Sequence, residues 1–185
     1  GQVTLFDCIE FNDSYASCDT WADVGFLIMD LFYRGFDRFA WQVINRYAEA
    51  SGDYEGLKLL PLYLSYRAGV RAKVRALRLG DGEALEDREF SNYLALAERS
   101  LKTPGLQRSV APRLWAVGGL SGSGKSTVAH ELSLQLGAIQ LRSDAIRKQK
   151  GDRPLYSPLY SEAETRGVYS RLVGLARELG EAGFT

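Results

Sequence analysis

The sequence predicts an α/β chain in which part of a parallel sheet follows a mostly α-helical first half. Three observations carry that expectation. Residues 20–102 place apolar side chains at helical spacing, with glycines at the breaks. The stretch 102–112 holds two prolines and a glycine, which marks a linker over 104–112 between a unit at 1–103 and a unit at 113–185. Beyond it, two short apolar runs flank a glycine-rich turn and a helical segment, the strand–loop–helix–strand order that opens a doubly wound domain.

Taken in order, Val3 to Phe11 partly alternates, which suggests a strand, and Asn12 to Asp19 is polar and turn-like. Thr20-x-x-Asp23 fits a capping box opening a helix, with an apolar stripe at 24, 27, 28, 31 and 32 and a stop at Gly35. A second helix covers 36–50 and ends at Ser51-Gly52. A third covers 54–79, with Pro61 delaying its start or kinking it, and Gly80-Asp81-Gly82 breaks it. A fourth fits 86–102. In the second unit, Leu114–Val117 reads as a buried strand, 124–136 as a helix ended by Gly137, and Ala138–Leu141 as a second strand. Ser161-x-x-Glu164 is another capping box, opening a helix to about Leu179. The 73 residues from 113 to 185 are short for a complete domain of this kind.

Bulk composition narrows the function classes. Lys plus Arg and Asp plus Glu both number 23, so the chain lacks the net positive charge of a general nucleic-acid binder. Cys8 and Cys18 have neither CxxC spacing nor a histidine nearby, which fits a reduced, cytoplasmic protein rather than a disulfide scaffold. No apolar run approaches the ~18 residues of a membrane span, and no signal peptide is visible. The first residue is Gly and the last follows a helical pattern, so the sequence reads as a piece of something longer.

The most informative segment is Gly119-Leu-Ser-Gly-Ser-Gly-Lys-Ser126, which has the spacing of a phosphate-binding P-loop. Gly119, Gly122 and Gly124 let the backbone curl so that successive amides, including those of Ser121 and Ser123, face phosphate oxygens. The helix that follows adds the positive end of its dipole. Lys125 is placed to reach the β and γ phosphates, and the Ser126 hydroxyl, followed by Thr127, is placed to ligate Mg²⁺. The ligand implied is ATP with Mg²⁺. Past the second apolar run lies Arg142-Ser-Asp-Ala-Ile-Arg147. Asp144 reads as an acid that orients or deprotonates an acceptor hydroxyl, with the N-cap of the next helix as the alternative. Arg147, one turn on, reads as an anion clamp or a solvated charge.

Residues 113–182 resemble the small P-loop kinases, of the gluconate-kinase, chloramphenicol-phosphotransferase and polynucleotide-kinase types. The resemblance rests on Gly119–Thr127 with Asp144 and Arg147. It implies a P-loop NTPase-type sheet and phosphoryl transfer from ATP–Mg²⁺ to a hydroxyl on a small or oligomeric acceptor, with Lys125, Asp144 and Arg147 in catalytic roles. The acidic strand end and arginine-bearing lid of those kinases have no counterpart before Thr185. In the first half, Leu5–Asn12 and Asp19–Asp23 resemble the end of an aminoglycoside-phosphotransferase-like, protein-kinase-like C-lobe. That implies a metal ligand at Asp7 or Glu10, between which spacing does not choose. The expected His-x-Asp motif is absent, since the single histidine, His130, follows the P-loop and reads as a surface or packing residue. Together the two resemblances imply a bacterial two-part protein, an aminoglycoside-phosphotransferase-like part followed by an ATP-binding part.

Two further patterns read as structure. Arg67, Arg71, Arg75 and Arg78 share one helix face, which fits a charged surface paired with acids at 81–87 rather than a polynucleotide contact. Aromatic residues at 33, 36, 39, 41 and 47 recur at helical spacing and read as core.

Overall fold

In the computed structural model, residues 18–79, 83–102, 112–149 and 161–185 are described. Helix α1 spans Thr20–Tyr33 and α2 spans Asp37–Ser51. A 3₁₀ turn at Gly56–Leu59 leads into α3, Leu60–Leu79, and another at Glu83–Glu86 precedes α4, Arg88–Lys102. The second half carries α5, Lys125–Leu136, α6, Ser143–Gln149, and α7, Glu162–Glu181.

The ends of these helices follow local chemistry. Ser161 Oγ accepts from Glu164 N at 3.2 Å, one half of the capping box expected there. The cap of α1 falls one residue earlier than the sequence suggested. Asp19 holds the extended backbone of a cap, and its Oδ1 accepts from Trp21 N at 2.8 Å. Its other oxygen accepts from Tyr63 Oη at 2.8 Å, tying α1 to α3. Pro61 sits in the first turn of α3, where its missing N–H costs nothing. Gly52 and Gly137 close α2 and α5 in left-handed conformation.

The expected parallel sheet is not seen: the described residues contain no strand. A strand exists only with a partner, and Leu114–Val117 has none among them. Its side chains are largely open, Leu114 at 81% and Trp115 at 56%. The Ala138–Leu141 run bonds toward the chain end through Ile139 N to Thr185 O at 2.7 Å. The expected strand at 3–11, with Asp7 and Glu10, the Gly80-Asp81-Gly82 break and most of the 104–112 linker lie outside the described residues.

In the first half, α3 packs along α4 and α1, and α1 along α2. The buried face of α1 is Trp21, Gly25, Ile28 and Met29, whereas Leu27 of the expected stripe points outward. Of the aromatic series, Trp41 is buried and Tyr33 and Tyr47 are half-buried. Phe36 and Phe39 are half exposed and meet edge to face instead of entering the core. The arginine face divides: Arg75 binds Asp87 through two bonds of 2.8 and 3.1 Å, while Arg67 and Arg71 lie over the Phe26 ring. No helix among the described residues is long and apolar enough to cross a membrane.

The two halves share one hydrophobic cluster that runs from Trp21 through Trp41 and Ile44 to Leu134, Ile146, Val168 and Leu175. Helix α2 packs on α5, and α6 on α7. Helix α2 therefore seats part of the second half.

Candidate functional site

The P-loop backbone turns at Gly122 and Gly124, with φ of +79° and +80°. Those angles lie in the left-handed region that side chains disfavour, so the loop needs glycine at both positions. Ser123 N bonds back to Leu120 O at 3.2 Å, and Lys125 Nζ reaches the same carbonyl at 3.0 Å. Helix α5 then begins at Lys125 on Gly124, and no side chain caps it. Its first amides and its dipole face the loop, the disposition that suits an anion. Ser121, Gly122, Ser123, Ser126 and Thr127 are exposed there, and Lys125 is half-buried.

Beside the loop lies a cleft of about 560 Å³. Lys125, Ser126, Gln140 and Asp144 are among its polar lining residues, and Trp115, Leu132 and Leu172 among its apolar ones. The fold thus brings Asp144 to the same cleft as Lys125, 19 residues away in the chain. Arg147 takes a different place. It is buried at 8%, does not line the cleft, and its Nη1 lies 3.8 Å from Asp144 Oδ1. Asp144 lies in the first turn of α6, with its side chain 66% exposed. His130 is half-buried on α5.

Residues of the first half support the site, and the sequence reading did not single them out. Asn45 on α2, 5% exposed, donates from Nδ2 to Trp41 O and to Ala138 O, both at 3.0 Å. Its Oδ1 accepts from Gln140 N at 2.6 Å. One turn further along α2, Glu49 Oε1 accepts from Arg142 Nη1 at 2.7 Å, and Glu49 O accepts from Gln149 Nε2 at 2.9 Å. Arg38, one turn before Trp41, grips Glu131 of α5 with two bonds of 2.7 and 2.8 Å. The Arg38 hydrogen bonds, and then that from Gln135, pull the Glu131 carboxyl down to about 2. The only sequence signal was a polar Asn in the apolar stripe Trp41–Ile44–Ala48.

Residues 114–185 match the family described as AAA domain, a stretch that takes in the loop, the cleft and α5 to α7. This half is similar to P-loop nucleotide-binding domains. The whole chain is similar to the uncharacterized proteins Rv2004c of Mycobacterium tuberculosis (strain H37Rv) and Mb2027c of Mycobacterium bovis. Identity is 35% in each case over 97% of the chain, which spans 36% of the relative's length. No solved structure matches.

Proposed function

We propose that the protein binds ATP with Mg²⁺ at Gly119–Thr127 and belongs to a phosphotransferase acting on a hydroxyl-bearing acceptor. One observation carries the reading: an uncapped helix N-terminus bearing Lys125, reached through two left-handed glycines, shares a cleft with Asp144. The uncapped first turn of α5 and a lysine at one point favour a polyphosphate, and the glycines leave its oxygens room to approach. Ser126 would hold the Mg²⁺, which when bound spreads the charge of the phosphates. In this reading Lys125 and the loop amides stabilise charge on the transferred group. The Asp144 carboxylate takes the proton of the acceptor hydroxyl as the new O–P bond forms and the bond to the β-phosphate oxygen breaks. Arg147 holds that carboxylate in place.

The acceptor is a small molecule or an oligomer rather than a nucleic acid, given the balanced charge of the chain. The all-helical build of α1 to α4 is compatible with the helical remainder of an aminoglycoside-phosphotransferase-like lobe. A second reading, a nucleotide-sensing module without chemistry, gains support from the polar contacts that join α2 to the second half.

Titration of Lys125→Ala with a fluorescent ATP analogue and Mg²⁺ tests the binding claim. We expect a loss of at least about tenfold, ~1.4 kcal/mol, at unchanged helicity. Unchanged affinity sinks it. Asp144→Asn separates the two readings, because a phosphotransferase loses turnover at unchanged ATP affinity.

A further inference from the structure

The segment that carries the acceptor-side residues is held in an unusual way. Ala138 O and Gln140 N belong to residues two apart, so in an extended chain they point to the same side. A neighbouring strand would supply one donor and one acceptor to such a pair. Here the side-chain amide of Asn45 supplies both, from a helix of the first half. The same segment also reaches the P-loop, where Gln140 Nε2 lies 3.5 Å from Ser126 O. Four residues after Asn45, Glu49 fixes Arg142, the residue before α6, and also the last residue of α6. A continuous set of contacts therefore runs from α2 through Gln140 to the first turn of α5, and through Arg142 to Asp144.

We propose that α2 is a working part of the nucleotide site, with Asn45 and Glu49 as positioning residues that set the 138–144 segment against the P-loop. It follows by linkage that MgATP at the loop stiffens α2, and that weakening the α2 contacts weakens MgATP binding. The helical first half is thus the element through which nucleotide occupancy reaches the rest of the protein. This rests on the reading of Gly119–Thr127 as an ATP site.

The test is amide hydrogen exchange read by mass spectrometry, with and without MgATP, alongside MgATP affinity. In the unaltered chain we expect MgATP to slow exchange in the P-loop, in 138–149 and in α2. Asn45→Asp keeps the acceptor for Gln140 N and removes the donor to Ala138 O. Glu49→Ala removes the Arg142 contact from a partly exposed site and serves if Asn45→Asp does not fold. Each should lower MgATP affinity by about two- to thirtyfold and abolish the slowing in α2, while the P-loop amides stay protected at saturating nucleotide. A structural role alone would lower stability yet leave the response of α2 to MgATP intact, which overturns the proposal. Protection of the P-loop without α2 in the unaltered chain overturns it too. If MgATP slows exchange nowhere, the ATP-site reading itself has failed and the inference falls with it.

Discussion

Replacing Gly137 with alanine should destabilise the protein by about 2–5 kcal/mol, and the structure divides that cost into two parts. The residue closes α5 at φ +64°, a left-handed angle that costs an L-residue roughly 1–2 kcal/mol. Its added Cβ would also lie 2.8 Å from Cε2 and Nε1 of Trp41, closer than such atoms come. Trp41 is 5% exposed and sits in the shared core, so its ring cannot swing aside. Overpacking of this kind adds about 1–3 kcal/mol. Gly35 provides the control. Its φ is +77°, yet nothing lies within 4 Å of its Cβ position. Gly35→Ala should therefore show the backbone cost alone. Urea unfolding followed by circular dichroism measures both, and the difference isolates the contact between the halves. Trp41→Phe should shrink the Gly137→Ala penalty in a double-mutant cycle by about 1 kcal/mol. If Gly137→Ala costs no more than Gly35→Ala, the close seating of α5 on α2 is wrong.

Two other predictions concern buried and paired groups. Tyr54 is 2% exposed, and its hydroxyl has no hydrogen-bond partner among the described residues. Burial, and next the charge of Glu49, push it up to about 12. Tyr54→Phe removes a buried unsatisfied hydroxyl, so thermal unfolding should show stability unchanged or raised by up to ~1 kcal/mol; a loss above ~1 kcal/mol would mean the hydroxyl has a partner. Glu131 titrates near 2 in the fold against 4.5 for the free group. A depressed carboxylate contributes stability that is complete above the unfolded value and lost as pH falls through the folded one. The urea midpoint should thus decline between pH 4.5 and 2, and Glu131→Gln should flatten part of that decline; an identical profile would mean that the Arg38 pair is absent in solution.

Features set by neighbours in the chain were legible in the sequence. The Ser161 cap, the glycine stops at 52 and 137 and the turns of the P-loop depend on a few adjacent residues, and each lies where its pattern indicated. Leu114–Val117 misled because apolar composition describes what a segment can bury, while a strand also needs a partner for its backbone. Asp144 and Lys125 line one cleft, a meeting set by packing of the second half and not by neighbours in the chain. Burial of Arg147 depends on how α6 meets α7, which its charge and spacing do not reveal. The partners of Asn45 could not be read for a similar reason, since they lie 93 and 95 residues away.

The same asparagine bears on how the protein keeps to itself. A length of extended backbone with open amides and carbonyls along one side invites pairing with another chain, the first step of many aggregates. By occupying Ala138 O and Gln140 N, the side chain of Asn45 closes that side. Because it is delivered by the first half, the second half expressed without α2 would present a sticky border to its neighbours. The helical half thus shields the segment it supports from such pairing.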